Sequence, residues 1–364
     1  MKDTIFVPSF GNRPRNLVGR EDVLLDFELS LSSQPGSRER AIVLVGQRGY
    51  GKTVLLLELA KLAKEKGYIV ASPTIVSQDM PERVLEKIMS EAEDIFHTGN
   101  RTIAGGSVSI MGFGAGIQMA GKENRPSFAK RLHDICQKIN RSGHPVLILI
   151  DEVQAHNEYL KQLIIAYQEM VGEGMDLSLV MAGLPTVLSS VMNEHVLTFL
   201  NRASKIHLEP LRINDIDTYY AQAFATLNIP IDKEKTAQAA EKTKGSPYMM
   251  QLIGHYITLM SEEGNAVDDR LFNRAVEKAE SDFINDICRT TTAALSDKDM
   301  DFLIQMSIDK DESDLSEIAS RMGVSSAYVQ TYKRRLTGAG VIEQHRRGKV
   351  RFAIPYLRDY LQTI

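Results

Sequence analysis

The segment Gly46-Gln47-Arg48-Gly49-Tyr50-Gly51-Lys52-Thr53 constrains this chain more than any other. It matches G-x-x-x-x-G-K-[S/T] without a mismatch. A short apolar run, Ala41 to Val45, precedes it, and a helix-patterned run, Gly51 to Lys66, follows and stops at Gly67. Glycines at this spacing let the backbone close until its N–H groups converge as an anion nest. The helix that follows adds its positive end. Gly46, Gln47, Arg48, Gly49, Tyr50, Gly51, Lys52 and Thr53 are therefore expected to wrap the phosphates of ATP or ADP. Lys52 should reach the β- and γ-phosphates, and the Thr53 hydroxyl should ligate Mg²⁺. For Arg48 and Tyr50 a surface salt bridge and plain packing are equally good readings.

A strand that ends in such a loop needs a sheet to join, and the chain supplies one. Apolar runs at Tyr68–Ala71, Val146–Ile150, Leu177–Met181 and Lys205–Leu208 alternate with helical patterns at Pro81–Phe96, Phe128–Ile139 and Tyr159–Val171. Short, continuously apolar strands between helices predict an α/β fold with a parallel sheet covered on both faces. The run Val146-Leu147-Ile148-Leu149-Ile150 ends in Asp151-Glu152. An acid at the end of a buried strand is costly unless a charged partner meets it. A metal is such a partner, so Asp151 is expected to hold Mg²⁺. Glu152 is expected to orient or deprotonate the attacking water.

Four regions follow from the pattern: an arm and first helix over 1–36, the phosphate-loop core over 37–210, an all-α lid over 211–295, and a small domain over 296–364. In the lid, Ser246 suits an N-cap, Pro247 a first helical position and Gly264 a C-terminal stop. The last region reads as helix, helix, turn, helix and a hairpin with Arg346-Arg347-Gly348-Lys349 at its tip. That order looks like a winged helix-turn-helix, whose third helix enters the major groove of double-stranded DNA. Lys333, Arg334, Arg335, Arg346, Arg347 and Lys349 would meet phosphates; Ser326, Gln330 and Thr331 would meet base edges. Between Arg321 and Arg358 the only acid is Glu343. The whole chain carries a net charge of −4, so any basic surface is local. Such modules also dock proteins, and that alternative stays open.

Other classes recede. Two cysteines, Cys136 and Cys288, form no C-x-x-C pair, which argues against zinc or a redox couple and for a reducing, cytoplasmic setting. The N-terminus has too short an apolar run for a signal peptide. Thr102 to Gly121 is uncharged but glycine-rich, and reads as a hairpin or mobile loop rather than a membrane span.

Asn16-Leu17-Val18-Gly19-Arg20-Glu21 resembles the Val-Gly-Arg-Glu box ahead of the core in AAA+ ATPases of the initiator-like, origin-recognition class. The resemblance implies an ASCE/AAA+ core with Val18 and Gly19 near the adenine and ribose. Asp151-Glu152-Val153-Gln154 resembles the Asp-Glu-Ala-Gln signature of archaeal-type ATPases, and Ala182-Gly183-Leu184-Pro185 is similar to a turn in these groups. Arg202 stands where AAA+ proteins often place an arginine that reaches a γ-phosphate, commonly across a subunit interface; a surface arginine at a helix end is the plainer alternative. Two departures matter. The fourth strand offers no polar sensor unless Ser178 serves, and Lys244-Gly245-Ser246-Pro247-Tyr248 has no sensor arginine. The resemblance implies a slow switch-type ATPase whose ATP state controls DNA binding or assembly, as a homo-oligomer or with a protein partner. The alternative is a signalling switch whose winged helix contacts protein.

Overall fold

The apolar runs form the interior of one sheet in the computed structural model of the chain, which describes residues 5–8, 17–93, 126–262 and 264–364. Its strands are β1 (Ala41–Val45), β2 (Ile69–Ile75), β3 (Val146–Asp151), β4 (Leu177–Gly183) and β5 (Ser204–His207). They are all parallel and lie in the order β2-β3-β4-β1-β5. Every residue of β3 and β4 is buried, which is why these strands read as unbroken apolar runs rather than alternating ones. Alternate side chains serve two cores. Ile42, Leu44, Leu147 and Leu149 face α1 (Glu21–Leu31) and α2 (Lys52–Glu65). Val43, Val45, Ile148 and Ile150 face α3 (Met80–Glu91), α4 (Phe128–Arg141), α5 (Glu158–Gly172) and α6 (Pro185–Met192). This is the P-loop core expected of the ASCE/AAA+ arrangement.

One strand lies between β1 and β3, so the phosphate loop and Asp151 emerge from the same edge of the sheet, at its carboxyl ends, where open α/β sheets bind ligands. Strand β2 runs past Ala71, where the apolar run ends, through Pro73 with a register shift between Ala71 and Thr74. A proline is tolerated there because β2 is an edge strand. The glycine-rich stretch 102–121 and the last residues of the helix expected to reach Phe96 lie outside the described residues.

The lid comprises α7 (Ile213–Thr226), α8 (Lys233–Lys242), α9 (Pro247–Met260) and α10 (Asp269–Phe283). Ser246 caps α9 as expected, its side chain accepting from the Met249 N–H. The helix stops at Met260, short of Gly264. Helix α10 continues through a π-helical stretch, Ile284–Arg289, into α11 (Thr290–Thr292). The N-terminal arm packs into this lid. Phe6 is fully buried against Tyr219, Tyr220 and Phe224, and the Val7 N–H donates to Gln251 Oε1 at 2.8 Å.

The C-terminal unit runs α12 (Asp297–Ser307), β6 (Ser313–Asp314), α13 (Leu315–Met322), α14 (Ser326–Gly338), β7 (Ile342–Arg346), β8 (Lys349–Phe352) and α15 (Leu357–Leu361). Its strands form an antiparallel sheet, β6-β8-β7. Ser296 and Asp299 form a capping box at α12 and Ser325 caps α14, so each start is written locally. One apolar core runs without a break from Ile5 through the lid to Leu361.

Candidate nucleotide site

Three glycines shape the loop. Gly49 and Gly51 sit at φ +79°, where any side chain is strained. A Cβ on Gly46 would come 3.1 Å from Leu208 Cβ, so any other residue would push Leu208 away where the loop leaves the strand. Helix α2 begins at Lys52, directly after Gly51, and aims its free N–H groups into the loop. Pro247 at the start of α9 lies across Gly51, 3.8 Å from where its Cβ would be, so the lid closes over the loop.

Lys52 Nζ donates to the carbonyls of Gly46 and Gln47, 2.8 Å each. Burial pushes its pKa down to about 8, against the opposing pull of Asp151. The Thr53 hydroxyl donates to Asp151 Oδ2 at 2.6 Å, and the Glu152 N–H donates to Asp151 Oδ1 at 2.9 Å. Asp151 is 4% exposed. Glu152 is exposed and sits at φ +50°, a left-handed conformation that a glutamate adopts only at a cost. These groups face one cavity of about 860 Å³, a size suited to a small molecule.

The walls differ along the cavity. Arg48, Gly49, Tyr50, Gly51, Lys52, Thr53, Asp151 and Glu152 line the polar part, and Leu17, Val18, Leu211 and Met250 are apolar lining. A hydroxyl and a carboxylate set 2.6 Å apart are hard oxygen donors. Among the described residues no cluster of three or more His, Cys, Asp or Glu could hold a metal by itself. That pairing fits Mg²⁺, which keeps waters and takes its remaining ligands from phosphates. The glycine cradle and the lysine fit the phosphates.

The other expected residues are distributed unevenly. Gly19, at φ +62°, forms a turn against Leu211 and Asp215 beside the cavity, while Val18 lines it. Gln47 belongs to the loop yet does not line the cavity; its side chain is buried against Gly340. Tyr50 lines it, and burial pushes its phenol up to about 12. Arg202 is exposed at the end of a 3-10 segment, His195–Arg202, and does not line the cavity of its own chain. Ser178 lies near the start of β4, the opposite end from the loop, and its hydroxyl meets Arg40 Nη1 at 3.2 Å; it is no sensor.

Several lining residues escaped the sequence reading. Arg20 is buried, donates to the Glu209 carbonyl at 2.7 Å, and has its pKa lowered by burial. Its place in the Val-Gly-Arg-Glu box was the available signal. Val7 and Pro8 line the cavity because the arm is pinned in the lid. Tyr248 and Asp286 also line it, with the Tyr248 hydroxyl donating to Asp286 Oδ2 at 2.6 Å. Asp286 comes from the π-helical stretch, and nothing in its local sequence marks it.

In the C-terminal unit, Ser326, Gln330, Thr331 and Arg334 are exposed on α14, and Arg346 and Arg347 are exposed at the β7–β8 tip. Arg335 and Lys349, read from the sequence as phosphate contacts, have other partners. Arg335 Nε donates at 2.7 Å to Asp299, which is 3% exposed, and so ties α14 to α12. Lys349 pairs with Glu312 at 2.7 Å, Arg321 with Asp309 at 2.7 Å, and Arg351 with Glu343. Lys333 donates to Gln344 Oε1 at 2.5 Å. Counting acids only between Arg321 and Arg358 overlooked Asp299, Asp309 and Glu312, which the fold brings back onto the basic run. Among the described residues Arg334 and Arg347 have no ion-pair partner, and Arg346 reaches Glu312 only at 3.9 Å with its side chain largely exposed.

Residues 16–205 match the family described as AAA ATPase domain, and residues 285–361 match one described as a domain of unknown function. No curated protein matches the chain. Among solved structures, a Walker-type ATPase of Pyrococcus abyssi superposes with a TM-score of 0.68 at 14% identity, over 99% of this chain and 100% of that one. The ORC2 protein of Aeropyrum pernix, solved as ADPNP–ADP complexes, gives 0.65 at 15% identity, over 97% and 94%. Cdc6p of Pyrobaculum aerophilum gives 0.52 at 12%, over 98% and 95%. At such identities the likeness is one of fold. The matched ATPase region covers just over half of the chain and contains both the phosphate loop and Asp151-Glu152, so the chain belongs to the AAA ATPase domain family.

Proposed function

We propose that the chain is a Mg²⁺-dependent ATP hydrolase whose nucleotide state governs DNA binding by its C-terminal unit, which we read as a winged helix. The observation that carries the enzymatic part is the pairing of Thr53 with Asp151 at 2.6 Å in the wall that also holds Lys52 and Glu152. Bound ATP with Mg²⁺ would supply the phosphoryl group and the charge that neutralises it. The chain does the rest. Loop N–H groups and Lys52 hold phosphate oxygens. Thr53 and Asp151 hold the metal. The Glu152 carboxylate takes a proton from water. Arg202 serves this site only from a neighbouring copy, since it does not line its own. Glu152→Gln should bind ATP and turn over at least about a hundredfold more slowly; an unchanged rate removes this assignment.

For DNA, Ser326, Gln330 and Thr331 would face base edges, and Arg334, Arg346 and Arg347 phosphates, with Lys333 alongside. A titration with double-stranded DNA at low salt, with and without ATP, tests it. One observation favours a second reading, in which the unit docks protein: Arg335, Lys349 and Arg351 are already paired within the fold. Absence of DNA binding at low salt would establish that reading instead.

A further inference from the structure

The turn between α14 and β7 rests on the phosphate loop. Gly338 and Ala339 form part of the cavity wall. Gly340 sits at φ +68°, and a Cβ there would come 2.9 Å from Leu184 Cδ2 and 3.0 Å from Gln47 Oε1. Gln47 is 7% exposed, and its Oε1 has no hydrogen-bond partner among the described residues. A buried amide oxygen without a donor is costly, so its place against this turn is a constraint that packing alone does not require. From the other side, the Thr186 hydroxyl of α6 points at the carbonyls of Thr337 and Gly338, 3.4 and 3.3 Å away. The Gly340 N–H already donates to the Thr337 carbonyl at 3.0 Å, so the hydroxyl is a second contact there and meets the Gly338 carbonyl beside it. Glu343 of β7 adds to the upward push on the Tyr50 phenol, which places β7 within electrostatic reach of the loop.

Gln47 connects this contact to the phosphates. Its backbone carbonyl accepts from Lys52 Nζ while its side chain meets Gly340. A phosphate that draws the Lys52 ammonium toward itself acts on the same residue that the turn touches. Gly338 and Ala339 line the same cavity as Asp151, Glu152 and Leu184. The geometry points to Gln47 and Thr186 as positioning residues that couple the 337–340 turn, and with it α14 and β7, to the presence of the third phosphate. The inference rests on the ATPase reading and adds its regulation. In this reading the turn takes up cavity wall that a third phosphate would displace, so it favours ADP over ATP. By reciprocity, a third phosphate loosens the turn.

The test compares Kd for ATP and ADP, by calorimetric titration of the full chain, in Thr186→Val, Thr186→Ser and Gly340→Ala. None of these residues holds nucleotide in the assignment above. Thr186→Val and Gly340→Ala should each lower the ratio Kd(ATP)/Kd(ADP) by about three- to tenfold, and Thr186→Ser should keep the wild-type ratio. Amide exchange across 342–352 in the wild type should be faster with a non-hydrolysable ATP analogue than with ADP, and the difference should vanish in the two disruptive variants. Equal shifts of both affinities, or a ratio that moves as far in Thr186→Ser, would overturn the coupling and leave a contact that only stabilises the fold. A wild type that binds neither nucleotide would instead refute the ATPase reading, and the coupling with it.

Discussion

Lys52 makes nucleotide binding a proton-linked event. In water a lysine ammonium titrates near 10.5, and here burial brings it down to about 8. Asp151 and Glu152 oppose that shift and Arg48 assists it. A lowered pKa means that the folded protein holds this proton less tightly than the unfolded chain does. Below pH 8 both states are charged and the folded state carries the full burial penalty; between about 8 and 10.5 only the unfolded chain is charged, so stability from this group rises with pH. Phosphate binding has the opposite sign, because phosphate selects the ammonium. At pH 9 roughly a tenth of the free protein carries that charge, so affinity for ADP should be about tenfold below its value at pH 7. Binding at pH 9 should then take up close to one proton. Calorimetry in two buffers of different ionisation enthalpy reads the uptake directly. Tyr50 titrates near 12 and stays out of this window. Lys52→Arg keeps its charge throughout and should show no uptake. Binding without uptake at pH 9, or uptake that persists in Lys52→Arg, would refute the reasoning.

Other expectations concern stability and charge. Phe6→Ala removes a fully buried ring from the lid core and should cost about 3–5 kcal/mol in chemical denaturation, with weaker nucleotide binding because Val7 and Pro8 lose their anchor. Arg335→Ala leaves the Asp299 carboxylate, 3% exposed, without its guanidinium partner. Because Ser296 still donates to Asp299 and Arg335 is half exposed, it should destabilise the C-terminal unit by about 1–3 kcal/mol, whereas Arg334→Ala should be neutral in the same melt. If the DNA reading holds, Arg346→Ala with Arg347→Ala should flatten the salt dependence of binding by up to about two logarithmic units, while Lys349→Ala changes the slope little.

The site was legible where its chemistry is local. Eight adjacent residues specify the phosphate loop, and one strand end specifies Asp151 and Glu152, so spacing alone found them. The sheet was legible because β3 and β4 are buried on both faces and are almost wholly apolar before their ends, with Ser178 partnered by Arg40. What was not legible depends on distant parts of the chain. Asp299 and Glu312 neutralise Arg335 and Lys349 from positions 36 and 37 residues upstream, which a count along the basic segment misses. Ser178 looked usable until the register placed it opposite Leu147, near the beginning of its strand. Asp286 and Arg20 reach the cavity through the packing of the lid and of Glu209, and Gln47 turns away from the phosphates because Gly340 receives it.

The arm's burial also orders events in time. Phe6 is made before its seat against Tyr219, Tyr220 and Phe224, which is synthesised more than two hundred residues later. The sheet and its phosphate loop are complete by His207, well before that seat exists. Val7, Met250 and Ala339 all contribute walls, so the cavity closes only once synthesis has passed Ala339. Domains that emerge first ordinarily fold first. Here the nascent core passes through a long interval in which it holds the phosphate loop without the finished cavity. A ligand held by those walls would therefore stabilise the folded chain far more than its growing fragments.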